Sequence, residues 1–176
     1  MADKRWPRVA RRHPSGLHWS PPAARRPEDF AVTHTERTVR HAIYAAFLAQ
    51  GLAPSTATLA TQLSLPLADV IDAMRGLAAQ HCLTVQPGTD EVWMAHPFSA
   101  IGTRCVVRRG DRQWFANCAW DAFAILALVG DGRFETRSPA TGESLTFEAR
   151  DGRIHGDGLV HFLVPARDFW KDIAFT

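Results

Sequence analysis

The hydrophobic pattern of this chain changes period partway along. Between residues 36 and 80 apolar side chains recur every three or four positions, and from Cys82 onward they alternate in short runs broken by Gly, Pro, Asp and Thr. The first spacing lines one face of a helix and the second one face of a strand. Helices followed by short strands predict an α+β chain. Val39, Ile43, Ala46 and Phe47 stripe a helix over 36–50, with Gly51 as its C-cap. Ser55 or Thr56 opens a short second helix to Leu63, and Ser64, with Pro66 just behind it, opens a third to about Gln80. Residues 82–85 and 91–95 then alternate around Pro87, Gly88, Thr89 and Asp90, which reads as a hairpin. Three helices and a hairpin in this order predict a winged-helix-like module over 31–96.

Composition narrows the setting. The 176 residues are 46% hydrophobic and 22% charged, ordinary for a globular chain, and the longest nearly uncharged apolar stretch, 122–130, is too short to span a bilayer. The net charge of +2 hides an asymmetry: residues 1–30 hold seven Lys or Arg against three acids, leaving 13 basic against 15 acidic side chains in the remainder. That Arg- and Pro-rich opening has no sustained apolar period and is expected as a disordered basic tail. Arg11 and Arg12 are followed by no apolar segment, so an export signal is not indicated. Three widely spaced cysteines without a CxxC pair give neither a disulfide framework nor a zinc site, and a reducing cytoplasm is the expected compartment.

A winged helix suggests DNA binding, which requires cationic and amide side chains on the third helix. Its outward positions instead carry Asp69 and Asp72, with Arg75 and Gln80 as the useful donors, so the sequence argues against nucleic acid as a partner. The chemistry lies further on. Val106, Val107, Trp114 and Phe115 flank Gly110 and Asp111 in a second hairpin, whose later strand runs into an apolar helix capped by Asn117 and closed by Gly130. Cys118 would be the first helical residue, with Asp121 three positions on and on the same face. A helix N-terminus lowers a thiol pKa, while a carboxyl that keeps its proton beside a thiolate is a ready acid. A soft nucleophile and a proton donor suit attack on a thiophilic metal and protonation of a carbon leaving group.

The segment NCAWDAFAILALVG, followed by SPATGESLTF and preceded by HPFSAIGTR, resembles the catalytic domain of the alkylmercury (organomercurial) lyases. The resemblance covers residues 36–176 and implies an α+β catalytic domain of short antiparallel strands around a Cys-bearing helix over 97–176. It implies that the substrate is a small organomercurial, cleaved to RH and Hg(II), with Cys118 as the thiolate that transiently ligates mercury and Asp121 as the proton shuttle. Small thiols or a mercuric reductase would accept the Hg(II), and no cofactor is required. In two places the chain departs from the family: a cysteine before the family's ATG segment falls on Ser138, and the second catalytic cysteine near the C-terminus has no counterpart before Thr176. Either the chain is a truncated or degenerate member, or another thiol substitutes. If Gly110 and Asp111 are the central turn residues, Cys105 sits opposite Ala116 and diagonal to Cys118 on the same face, which makes it the candidate.

Trp93, Trp114, Trp120 and Trp170 read as core or interdomain packing residues, and Trp120, beside Cys118, is also a candidate to line the substrate site and exclude water. Cys82 reads as core. The eight His show no HExxH or HxH spacing, and His155 and His161 read as exposed polar residues. Residues 136–148 and 158–165 read as strands around turns at Thr141, Gly142 and Gly152. Two alternatives to a lyase stay open, a non-catalytic thiol sensor or soft-metal binder and a winged-helix transcription regulator.

Overall fold

In the computed structural model of the protein, residues 31–174 are described; the basic tail expected over 1–30 lies outside them. Helix α1 (His34–Gln50) starts two residues before the expected position 36, because Thr33 and Glu36 form a reciprocal cap: the Thr33 side chain accepts from the Glu36 N–H, and the Glu36 carboxylate accepts from the Thr33 N–H at 2.6 Å. Gly51 ends the helix in the left-handed conformation, φ 75°. A Cβ there would lie 2.0 Å from the Gln113 carbonyl oxygen, so glycine answers both the dihedral and the close approach of a strand.

Helix α2 (Thr56–Leu63) begins at Ser55 as expected. The third start differs. Ser64 is not the N-cap of α3 (Leu67–Ala79) but the left-handed C-cap of α2, φ 53°, with its N–H directed to the Ala60 and Thr61 carbonyls. Pro66 takes the N-cap position, since it has no N–H to satisfy and its neighbours begin the new helix. Within α3, Gly76 lets the Glu36 side chain lie against the backbone, where a Cβ would be 2.0 Å from the carboxylate. The remaining helix, α4 (Ala119–Val129), stands between strands five and six.

Among the described residues eight strands form one antiparallel sheet: β1 (Thr84–Val85), β2 (Val92–Ala95), β3 (Phe98–Ser99), β4 (Cys105–Arg109), β5 (Arg112–Ala116), β6 (Gly132–Arg137), β7 (Ser144–Arg150) and β8 (Arg153–His155). Their spatial order is β1-β2-β3-β5-β4-β6-β7-β8. The fold is therefore α+β, helices first and an antiparallel sheet after them. Strand β3 has no sequence signature: following directly on the cis His96–Pro97 bond, it joins the first hairpin to the second through Phe98 opposite Ala116. Residues 158–165 do not form the expected strand; the sheet ends at β8, and the exposed chain beyond it runs to a 3-10 turn, Ala166–Lys171. Without a neighbour to pair with and with Leu159 almost wholly exposed, that segment gains nothing from strand geometry.

One apolar core runs from the helices through the sheet to α4. Val39, Ile43 and Phe47 of α1 and Val70, Met74 and Leu77 of α3 join Phe98, Val107, Trp114 and Phe134 of the sheet and Ile125, Leu126 and Val129 of α4. Phe47 stacks on Phe98 at 5.0 Å, and the Trp114 indole N–H donates to the Phe47 carbonyl at 2.7 Å. A large ring is thus buried with its polar atom satisfied. Trp114 meets the packing expectation; Trp93 is half-buried, whereas Trp120 and Trp170 are exposed.

Candidate active site

The start of α4 holds the candidate site residues Cys118 and Asp121. The β4–β5 turn at Gly110 and Asp111 sets Cys105 opposite Ala116, the register read from the sequence. Alternate residues of a strand share a face, so Cys105 lies on the side of buried Val107, and Ala116 on the side of buried Trp114. Two residues beyond Ala116 comes Cys118. It is the N-cap of α4 rather than its first residue, because its own φ of −148° is extended and the helix begins at Ala119. Asn117, expected as the cap, is free to bond elsewhere, and its side-chain amide donates to Asp121 Oδ2 at 3.0 Å.

The electrostatics overturn one expectation. Burial pushes the Cys118 thiol up from its ordinary value, the Asp121 charge adds to the rise, and the backbone N–H groups of Asp121 and Trp120 only partly offset it. Desolvation of the charged form outweighs the helix N-terminus. The Cys105 thiol is raised too, first by burial and then by Asp121, against a lowering contact with the Thr136 hydroxyl, 3.7 Å from the sulfur. Cys105 also raises Cys118. The Asp121 carboxylate therefore acts on both thiols, which requires that the three share one neighbourhood.

Sequence reasoning missed His96. Its Nδ1 lies 3.6 Å from Asp121 Oδ2 and 3.3 Å from Asn117 Nδ2, while the Tyr44 hydroxyl donates to its carbonyl at 2.8 Å. Only the HPF segment before the second hairpin hinted at it; a lone His carries no spacing signal, and the contact is made across 25 residues by β3. Cys82 is half-buried against the core, and His155 and His161 are exposed, each as expected.

The exposed segment after β8 passes over this end of α4. Phe162 meets Trp120 edge-on at 6.1 Å, and Trp170 stacks on His81 at 4.0 Å and meets His96 edge-on at 5.7 Å. Between Trp120 and the segment lies an open apolar groove of about 590 Å³, walled by Phe162, Leu163, Pro165 and Phe169. Among the described residues no group of three or more His, Cys, Asp or Glu is arranged to hold a metal ion.

No curated protein matches the chain. Residues 98–176 match the family model of alkylmercury lyase, and the solved mercury-bound form of MerB2 superposes with a TM-score of 0.54 at 23% identity. That match covers 69% of this chain and 58% of the other, so the chain spans less than two thirds of that relative's length. Residues 98–176, which hold the CAWD and ATGE segments, are thus similar in sequence to the alkylmercury lyases, and the α+β fold is similar to that of MerB2.

Proposed function

We propose that the protein is an organomercurial lyase-like protein that cleaves a carbon–mercury bond by protonolysis. The observation that carries this reading is the placement of Cys118 as the N-cap of α4 with Asp121 in its first turn, inside the segment that matches the alkylmercury lyase model, with the Asp121 charge acting on both Cys118 and Cys105. Cys118 exchanges onto the substrate's mercury, releasing the thiol that held it. Cys105 then ligates the same mercury and gives up its proton to the Asp121 carboxylate. Asp121 delivers that proton to the carbon, the Hg–C bond breaks, and RH leaves with Hg(II) held by two sulfurs. Two small thiols, or a mercuric reductase, take the Hg(II) and return both cysteines to their protonated form. No cofactor enters the cycle. The apolar groove beside Trp120 supports a role for that ring against the organic group.

We read α1, α2, α3 and the β1–β2 hairpin (31–96) as a winged-helix-like module that supports the catalytic part (97–176), inside a reducing cytoplasm. A DNA-binding role has less support, because Arg75, the basic residue of α3, is paired with Asp90 at 2.9 Å. Among the described residues no helix is long and apolar enough to cross a membrane.

The test is hydrocarbon release from an organomercurial by the full chain with excess small thiol, beside Cys118→Ser and Cys105→Ser. The expected result is release by the wild type, none by Cys118→Ser, and loss of Hg(II) retention in Cys105→Ser. Stoichiometric Hg(II) binding with no hydrocarbon would replace the lyase with a thiol sensor or soft-metal binder.

A further inference from the structure

Asn117 Nδ2 stands 3.0 Å from Asp121 Oδ2 and 3.3 Å from His96 Nδ1. The opposite orientation of the amide would set its oxygen against a carboxylate oxygen, acceptor against acceptor. With the nitrogen so placed, its two hydrogens both find acceptors when His96 Nδ1 carries a lone pair, that is, when the ring is neutral with its proton on Nε2. Asn117 Oδ1 and His96 Nε2 are left buried without a protein partner.

We propose that Asn117, oriented by a neutral His96, is a positioning residue for Asp121: it occupies Oδ2 as an acceptor and so leaves the transferable proton on Oδ1. The inference rests on the reading of Asp121 as the proton donor. His96 is in turn held by the Tyr44 hydroxyl on its carbonyl and by the Trp170 ring. The titratable groups around it are Asp121 from α4, Tyr44 from α1, and His81 beyond the Trp170 ring. Burial raises the Tyr44 phenol, so it remains a donor throughout the neutral range. Protonation of His96 has a defined consequence. An Nδ1–H would face the Asn117 N–H, donor against donor, and would ion-pair with Asp121 Oδ2, holding the carboxyl ionised and unable to give a proton. Hydrocarbon release then falls in acid, where an isolated carboxylic acid donor would keep its activity.

The experiment compares wild type, Asn117→Ala, His96→Leu and His96→Asn as full chains. For each, kcat and KM for hydrocarbon release from phenylmercury with excess small thiol are measured from about pH 5 to about pH 8, with equimolar Hg(II) retention alongside. Asn117→Ala and His96→Leu are expected to lose kcat by about 100-fold with KM and Hg(II) retention little changed, the scale of a misplaced reacting group. His96→Asn offers a carbonyl oxygen where Nδ1 stood and does not titrate; it is expected to recover most of that loss and to abolish the acid limb. Unchanged kcat in Asn117→Ala, or an acid limb that survives in His96→Asn, overturns the inference while leaving the lyase reading intact. Absence of hydrocarbon from the wild type ends the lyase reading instead. In that event ring-nitrogen NMR of His96 still decides the hydrogen bond, with an Nε2–H tautomer at neutral pH supporting it and an Nδ1–H tautomer overturning it.

Discussion

Cys118 is pulled two ways, and the balance between the two sets its reactivity. The N–H groups that open α4 favour the thiolate; burial and the Asp121 carboxylate oppose it and prevail, raising the thiol above its ordinary value of 9.0. At neutral pH the residue is therefore a thiol, and in the proposed reaction it would lose its proton to the departing ligand on mercury, exchanging with a mercury thiolate rather than attacking as a standing thiolate. Alkylation of Cys118 by iodoacetamide, followed by peptide mass, should keep rising with pH well beyond the point where a free cysteine levels off. A rate already at its plateau near neutrality would show that burial does not control the thiol. The same shift has a sign for stability. Between the ordinary and the raised value the folded chain holds more protons than the unfolded one, so this contribution is intact below 9.0 and is lost as pH rises through the raised value.

At the scale of elements, caps and close approaches govern. The Thr33–Glu36 capping box and the left-handed Gly51 fix both ends of α1, and Gly51 also seats the helix end on β5. Gly51→Ala should destabilise the fold by at least about 1–2 kcal/mol from the dihedral alone, with a further loss from the clash with the Gln113 carbonyl. Urea unfolding checks it; a change within error would mean that the α1–β5 contact yields freely. The ends of α1 and the β4–β5 register were legible because a capping box, a glycine and a two-residue turn act within a few positions. Ser64 was misread because Ser serves as an N-cap far more often than as a left-handed C-cap, and the choice between adjoining helices is made by packing, not by the residue.

Across the whole molecule, the exposed chain after β8 and the core differ in how they are held. The core closes through Trp114, Phe47, Phe98 and Phe134, all fully or almost fully buried, whereas the later segment is held by ring contacts of Trp120 with Phe162 and of His81 and His96 with Trp170. Replacing Phe162 and Trp170 together by Ala should speed limited proteolysis within 156–174 several-fold while shifting Tm by less than about 3 °C, because neither ring belongs to the core. A large fall in Tm would show the segment to be part of the cooperative unit. Trp114→Ala should cost about 3–5 kcal/mol and serve as the contrasting core variant.

The order of helices and strands, the second hairpin's register and the CAWD and ATGE signature were determined by sequence alone, since period, turn chemistry and motif spacing are properties of neighbouring residues. The tertiary structure decided what these neighbours meet. It brought Cys105 into the field of Cys118, turned Asn117 from a cap into a hydrogen-bond donor to Asp121, and carried His96 to that carboxylate through the two-residue strand β3. Burial, which reverses the expected shift of the Cys118 thiol, is likewise a sum over chain segments far apart in sequence, and no local pattern encodes it.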